Sequence, residues 1–214
     1  MIKEFTFNHF QVNTYVVYDK TKECVLVDVG CINSEEEGQL DKFIQDNNLI
    51  VKHLLLTHAH IDHCFGMKKY AKQYNLPITM NEGGKTMMDI SVGQADMMGF
   101  GQIEFKDVEK KYIEYGDKIV FGDNYVLKTF DVSGHCEGSV AYYSEKEKFV
   151  IVGDAIFKQS IGRTDFFGGD LDKLLINIRK NILTLPYDTE ILCGHGENTT
   201  IDAEMNNNPF IQKY

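Results

Sequence analysis

The sequence predicts an α/β fold in which two similar β-sheets pack face to face and helices cover both outer surfaces. Strands followed by a helix occur in each half of the chain. The segment VLVDVG at 25–30 is echoed by VIVGDAIF at 150–157, as expected if the halves form related sheets. No linker, low-complexity tract or charge block divides the 214 residues, so we expect a single domain over 1–214.

Strand patterns and two helical segments fill the first half of the chain. The predicted strands are IKEFTF at 2–7, VNTYVVYD at 12–19, ECVLVDVG at 23–30, VKHLLLT at 51–57 and LPITM at 76–80. Ser34 and Glu37 have the spacing of a capping box, which predicts a helix that ends near Asn47. A second helix is predicted by four residues that share one helical face: Met67, Tyr70, Ala71 and Tyr74.

Further strands and a long helix are predicted in the second half. Strand patterns cover parts of 112–134, SVAYYS at 139–144, KFVIVGDAIF at 148–157 and TEILCGHG at 189–196. A helix should begin at Asp170, with a core face made of Leu171, Leu174, Leu175, Ile178 and Ile182.

The segment 83–105 is rich in methionine and glycine and has no clean period. We interpret its residues 87–98 as core packing, because methionine fills irregular gaps. The alternative is an adaptable apolar wall or lid over a cleft.

Charge and cysteine usage limit the possible partners. The formal net charge is -10, which gives no general attraction for nucleic acid or anionic lipid. The N-terminus lacks a secretory pattern and no apolar run is long enough to span a membrane, so we expect a cytoplasmic protein. Five irregularly spaced cysteines do not suggest a disulfide framework, and we expect reduced thiols.

Metal-type ligands follow five apolar strands. Asp28 follows CVLV, His58 follows LLLT, His135 follows FDVSG, Asp154 follows VIVG and His195 follows ILCG. A single histidine after a strand is most often a hydrogen-bonded structural residue. Loops at strand ends gather along one edge of a sheet, so these residues can converge. The five strand ends together therefore predict a metal site.

The segment THAHIDH at 57–63 has a spacing that suits two ions. In an extended segment His58 and His60 point to the same side and can reach one ion. Asp62 and His63 lie where the chain turns into a helix, and they aim towards a second ion. Asp154 has two carboxylate oxygens and could bridge both ions.

The donor types indicate the metal and the reaction. Imidazole and carboxylate without thiolate favour zinc, iron or manganese, and we expect two divalent ions, with zinc as the first choice. Two ions about 3.5 to 4 Å apart form a hydrolytic clamp in which a bridging hydroxide is the nucleophile. Cys64 and Cys136 lie next to predicted ligands in the sequence. We interpret them as buried core residues rather than nucleophiles.

The motifs resemble those of the metallo-β-lactamase-fold hydrolases. The matching segments are VDVG at 27–30, THAHIDH at 57–63, SGHCEGS at 133–139, VGDAIF at 152–157 and CGHGENTT at 193–200. The resemblance implies a four-layer αββα sandwich. It also implies that one metal binds His58, His60 and His135, and that Asp154 binds both metals. The second metal would bind Asp62, His63 and His195.

The resemblance further implies a role for two aspartates. Asp28 would lie buried near the cluster without binding metal. Asp62 would act in catalysis, both as a ligand and by orienting the nucleophile.

Within that superfamily, SIGRTDFFGGD at 160–170 and GHGENTT at 194–200 are similar to the glyoxalase II group. That group hydrolyses hydroxyacylglutathione thioesters, so the resemblance implies a small-molecule thioester substrate. Long glyoxalase II enzymes have an additional helical domain, and this sequence of 214 residues resembles the short members.

Arg163 matches a basic residue that contacts substrate in the long enzymes, so we expect it to bind an anionic group of the substrate. This chain has Asp165 where those enzymes carry an aromatic residue. The alternative is an arginine that supports its loop through an ion pair with Asp165 or Asp170.

Two other functions fit the same motifs. A persulfide dioxygenase of this fold would use a single iron held by His58, His135 and Asp154, and GRTDF occurs in that group too. The ending GHGENTT favours the hydrolase. A metal-stabilised binding module is the third possibility, and the complete ligand set argues against it.

Overall fold

The computed structural model of the protein describes residues 1–101 and 103–212. Its centre consists of two six-stranded β-sheets. The first sheet contains, in spatial order, β1 Ile2–Phe7, β2 Val12–Tyr18, β3 Glu23–Val27, β4 Ile50–Leu55, β5 Ile78–Met80 and β6 Lys110–Tyr112.

The second sheet contains, in spatial order, β14 Thr199–Thr200, β13 Glu190–Cys193, β10 Phe149–Gly153, β9 Val140–Ser144, β8 Tyr125–Asp131 and β7 Lys118–Phe121. A separate two-stranded ribbon, β11 Ile156–Phe157 and β12 Ser160–Ile161, follows β10.

Helices connect and cover the strands. They are α1 Ser34–Asp46, α2 Ile61–Cys64, α3 Met67–Tyr74, α4 Lys85–Met97, α5 Leu171–Asn177, α6 Ile201–Asn207 and α7 Pro209–Gln212. A π-helical segment, Ile178–Ile182, extends α5. Over residues 1–101 and 103–212, no helix combines the length and the apolar character needed to cross a membrane.

Three apolar clusters account for the layering. The cluster between the sheets joins side chains such as Val27 of the first sheet to Leu127 and Leu192 of the second. A second cluster lies between the first sheet and its helices, and it includes Leu40. The third cluster packs α5 against the second sheet through Leu174. These clusters confirm the predicted αββα sandwich.

Parallel strand pairs bring the ligand loops together. Strands β3 and β4 run parallel with Val27 opposite Leu55, so residues 28 and 56–58 leave the first sheet side by side. Strands β10 and β13 run parallel with Gly153 opposite Cys193, so residues 154 and 194–195 leave the second sheet in the same way.

Two details of the predicted helices are wrong. The cap of α1 is Asn33 rather than Ser34, and its side chain accepts hydrogen bonds from the backbone of Glu35 and Glu36. Asparagine caps a helix at least as well as serine, so the N-cap lies one residue earlier than predicted. The Glu36 carboxylate accepts from the backbone N–H of Ile32 and does not close a capping box with Asn33. Leu171 is 38 % exposed, because it starts α5 on the solvent side, while Leu174 and Leu175 are buried.

The methionine-rich segment forms a short 3-10 turn, Glu82–Gly84, followed by α4. Met87 and Met88 are buried against the first sheet, as core packing requires. Met97 is 89 % exposed and Met98 is also exposed, so the end of this helix does not contribute to the core. Residue 102 of the segment lies outside the described residues.

Candidate metal centre

Three histidines form the first donor set, which consists of His58, His60 and His135. One ring nitrogen from each lies within 4.8 Å of the others. His60 Nδ1 is 3.1 Å from His58 Nε2 and 3.0 Å from His135 Nε2. Several imidazole nitrogens that converge at such distances need a shared cation or proton, because lone pairs facing each other repel.

The second donor set consists of Asp62, His63 and His195, which meet in the same way. His195 Nε2 lies 3.2 Å from Asp62 Oδ2 and 3.3 Å from His63 Nε2. The short helix α2 carries Asp62 and His63, whereas His195 comes from the loop after β13. Strand β2 also holds this loop, through a bridge between Val12 and His195.

Asp154 lies between the two donor sets. Its Oδ1 is 3.3 Å from His63 Nε2, and its Oδ2 is 3.5 Å from His195 Nε2 and 3.7 Å from His135 Nε2. Oδ1 is buried and accepts no well-aligned hydrogen bond from residues 1–101 or 103–212. A buried carboxylate oxygen without such a partner is costly unless a cation satisfies it. The donor sets therefore fit divalent metal ions.

The Asp28 carboxylate contacts His63 of the second set at the ring nitrogen that points away from the cluster. Its Oδ2 lies 3.0 Å from His63 Nδ1 and accepts a 2.6 Å hydrogen bond from Thr57 Oγ1. Its Oδ1 accepts a 2.7 Å hydrogen bond from the backbone N–H of Thr57. A carboxylate on Nδ1 fixes the ring and leaves Nε2 free for a metal.

Two backbone carbonyls and a threonine hydroxyl orient other rings of the cluster. His135 Nδ1 lies 2.7 Å from the carbonyl oxygen of Arg163, and His195 Nδ1 lies 2.9 Å from that of Phe10. His58 Nδ1 is 3.1 Å from Thr57 Oγ1. In each contact the Nδ1–H group donates to the oxygen atom, so each of these rings presents Nε2 to the cluster.

Gly194 permits the close approach of Asp154. A Cβ atom at position 194 would lie 2.2 Å from Asp154 Oδ1 and 3.0 Å from a carbon of the His63 ring. Any side chain there would collide with both groups, so glycine is required where the loop passes the cluster.

The histidines of the two donor sets differ in their pKa values. Burial, assisted by neighbouring imidazoles, lowers the pKa of His58 well below its usual value and that of His60 to about 4. Burial opposes the charge of Asp154, but His63 and His195 outweigh it and hold the pKa of Asp154 well below its usual range. Neutral imidazoles and ionised carboxylates are the forms that bind metal.

The histidines of the second donor set carry protons in the absence of metal. Burial lowers the pKa of His195, but Asp154 and Asp62 outweigh this effect and raise that pKa to about 9. The same carboxylates, together with Asp28, raise the pKa of His63 well above its usual value. Metal binding at the second donor set must therefore release protons.

Comparison with known proteins gives the family. The family model described as "Metallo-beta-lactamase superfamily" matches residues 8–195, which include every residue of both donor sets. The chain belongs to the metallo-beta-lactamase superfamily. The predicted resemblance is thus confirmed, and membership supports a metal-dependent hydrolase.

Two relatives within the superfamily cover nearly the whole chain. The chain is 31 % identical to the probable metallo-hydrolase YqgX of Bacillus subtilis, over 95 % of this chain and 94 % of that protein. It is also 31 % identical to the hydroxyacylglutathione hydrolase GloC of Haemophilus influenzae, over 94 % and 93 %.

Two solved structures are similar over almost their full length. The B3 metallo-beta-lactamase BLEG-1 is 32 % identical, with a TM-score of 0.89 and 99 % of both chains covered. TTHA1623, solved in a di-iron-bound form, is 29 % identical with a TM-score of 0.85, over 97 % of this chain and 99 % of that chain.

Arg163 lies beside the metallo-beta-lactamase-type cluster but is already paired. Its Nε and Nη2 each donate a 2.7 Å hydrogen bond to a different oxygen of Asp165. Its guanidinium carbon lies 3.6 Å from the centre of the Phe166 ring. This is the arrangement of the loop-supporting alternative; contact of Arg163 with substrate stays a prediction.

All five cysteines are buried free thiols, as in the prediction of buried core residues. Burial raises the pKa of the Cys64 thiol well above its usual value and that of Cys136 to about 12. Such thiols stay protonated at neutral pH and are poor nucleophiles.

The sequence patterns did not predict the polar residues that support the cluster. Besides Thr57, they lie on β2: Asn13 Nδ2 donates to the carbonyl oxygens of Cys193 and Gly196, and Tyr15 OH donates to that of Cys193. Polar residues at 13–15 at the start of a strand that is otherwise apolar were the available signal, because buried polar groups need partners.

Proposed function

We propose that the chain is a dinuclear metal-dependent hydrolase of small-molecule thioesters of the hydroxyacylglutathione type. The observation that carries the proposal is the Asp154 carboxylate, whose Oδ1 is buried and which faces both donor sets at 3.3 to 3.7 Å. A mononuclear site does not need the second set of Asp62, His63 and His195. Similarity to the hydroxyacylglutathione hydrolase GloC supports the thioester as the substrate class.

Each ligand has a role in this proposal. His58, His60 and His135 would hold one ion, and Asp62, His63 and His195 would hold the other. Asp154, which faces both sets, would be shared. Two divalent cations supply Lewis acidity and lower the pKa of water, so that water can attack a carbonyl carbon at neutral pH. We propose zinc as the resident metal. Iron is the alternative metal, because the similar protein TTHA1623 was solved in a di-iron-bound form.

The chain's own residues orient the reactants. Burial opposes the charge of Asp62, but His63 and His195 outweigh it and hold the pKa of Asp62 below its usual value. The ionised carboxylate can accept a hydrogen bond from the attacking water and so direct its lone pair at the thioester carbonyl. The thiolate then leaves as the carboxylic acid product forms, with no covalent bond to the protein.

A cytoplasmic location also belongs to this proposal. It is supported by the five free thiols, all of which lie buried. Oxidising compartments favour paired cysteines.

A substrate panel on metal-free and metal-loaded protein tests the proposal. We expect a chelator to abolish hydrolysis of a hydroxyacylglutathione, and zinc, iron or manganese to restore it. The panel should include a chromogenic β-lactam, because the B3 metallo-beta-lactamase BLEG-1 is similar to this chain. β-Lactam hydrolysis without thioester hydrolysis would refute the thioesterase. Dioxygen uptake with glutathione persulfide would favour the mononuclear iron alternative.

A further inference from the structure

A cavity of about 500 Å³ lies between α4, the end of β5 and the segment 104–112. Its volume falls within the range of small-molecule binding sites. The apolar part of its lining consists of buried or half-buried side chains: Met80, Met88, Val92 and Phe105. None of the described residues that line it belongs to either donor set, so the cavity is separate from the metal centre.

Helix α4 lies between the cavity and the metal-binding loop, which consists of residues 57–63. Met88 and Val92 line the cavity, whereas Ser91 lies on another face of the helix. The buried Ser91 Oγ donates a 2.7 Å hydrogen bond to the carbonyl oxygen of Ala59 in that loop. A molecule in the cavity would therefore contact a face of α4 that does not contact the metal-binding loop.

Three cations also line the cavity, and they are Lys85, Lys106 and Lys110. Over residues 1–101 and 103–212, none of the three forms an ion pair with a carboxylate. Lys110 Nζ donates to the carbonyl oxygen of Phe105, which uses one of its three N–H groups. Each of these ammonium groups can therefore still donate to a bound anion.

Two carboxylates, Asp89 and Glu104, complete the charged part of the lining. With three lysines and two carboxylates, the lining has a formal net charge of +1 in a chain whose net charge is -10. The nearby Asp107 points elsewhere and pairs with Lys68 at 2.9 Å and Lys72 at 2.5 Å. A ligand with a single anionic group matches this charge balance, whereas a second anionic group would face carboxylates or apolar side chains.

We propose that this cavity binds an amphipathic monocarboxylate, with its apolar chain against Met88 and Phe105 and its carboxylate on the lysines. Burial of the chain removes apolar surface from water, and methionine side chains adapt to the shape of a flexible ligand. Ammonium groups form charge-assisted hydrogen bonds with a carboxylate. The inference does not depend on the proposed thioester hydrolysis, because it concerns a different cavity.

An NMR titration of the zinc-loaded protein with octanoate tests the proposal. We expect the backbone amide signals of residues 85–92 and 104–112 to shift, with a dissociation constant of about 0.1 to 1 mM. Octanamide lacks the charge, and suberate carries a second carboxylate on a chain of equal length. Each should bind about tenfold more weakly than octanoate. Acetate at the same concentrations shows which shifts arise from a carboxylate on the metal ions alone.

Three variants test the residues of the cavity. The double substitution Lys85→Gln and Lys106→Gln should weaken octanoate binding about tenfold and leave octanamide binding unchanged. Val92→Asp places a carboxylate in the apolar lining at a half-buried position of α4, so it should weaken the binding of both ligands. Lys111→Gln changes an exposed lysine of β6 outside the lining and should bind octanoate as wild type does. Circular dichroism establishes that each variant is folded.

Three results would overturn the inference. They are octanoate shifts confined to the metal-binding loop and the loops around His135 and His195, unchanged octanoate affinity in the double lysine variant, and no shift at about 10 mM octanoate. None of these results bears on the proposed thioester hydrolysis, because turnover at the metal centre is measured in a separate assay.

Discussion

Replacing Asp154 with alanine should remove most of the metal from both donor sets and lower thioester kcat/KM by about three orders of magnitude or more. The reason is geometric, because within residues 1–101 and 103–212 Asp154 is the one carboxylate that faces His63, His135 and His195 together. Elemental analysis of dialysed protein gives the metal content, and a steady-state thioester assay gives the rate. Loss of metal from only one set would refute the shared role of Asp154.

A buried aspartate elsewhere provides the control for this variant. Asp19 lies at the far end of β2 and accepts hydrogen bonds from the backbone of Thr21 and Asp123. Asp19→Ala should lower thermal stability and leave metal content unchanged. Circular dichroism of both variants establishes that lost activity does not reflect lost folding.

Asp28→Asn should weaken metal binding about 10- to 100-fold without removing any proposed ligand. The Asp28 carboxylate accepts from Thr57 N, Thr57 Oγ1 and His63 Nδ1, all of which are donors. An amide has a single acceptor oxygen, so its NH₂ group would face a donor and turn the His63 ring. Competition with a chromophoric chelator measures the dissociation constant.

The matched control is Asp19→Asn, which alters a buried carboxylate away from the metal centre. We expect its metal affinity to equal that of wild type. Equal affinity in Asp28→Asn, combined with the same loss of stability as Asp19→Asn, would mean that Asp28 only supports the fold.

The residues of the cluster could be located from the sequence because each one lies within a few positions of the end of a strand or at the start of a helix. Asp28, His58, Asp154 and His195 leave the carboxyl ends of strands, and parallel pairing brings those ends together. A strand pattern and its last residue are local features, so they are readable without knowledge of tertiary contacts.

The supporting contacts depend on tertiary packing and could not be predicted in the same way. Asn13 and Tyr15 bond to the Cys193 carbonyl across more than 170 positions of sequence. The Arg163–Asp165 pair was one of two open alternatives, but the stacking of Arg163 on Phe166 depends on how the loop folds. The helix α4 was obscured because methionine and glycine do not give a periodic pattern.

Two bound metal ions per chain are the central claim, and a titration of metal-free protein with zinc tests it most directly. Metal content and thioester turnover are followed in the same samples. We expect both to rise until two equivalents are bound, with no further gain afterwards. Full turnover at one equivalent, or a single tightly bound iron with the second donor set unable to hold metal, would contradict the dinuclear hydrolase.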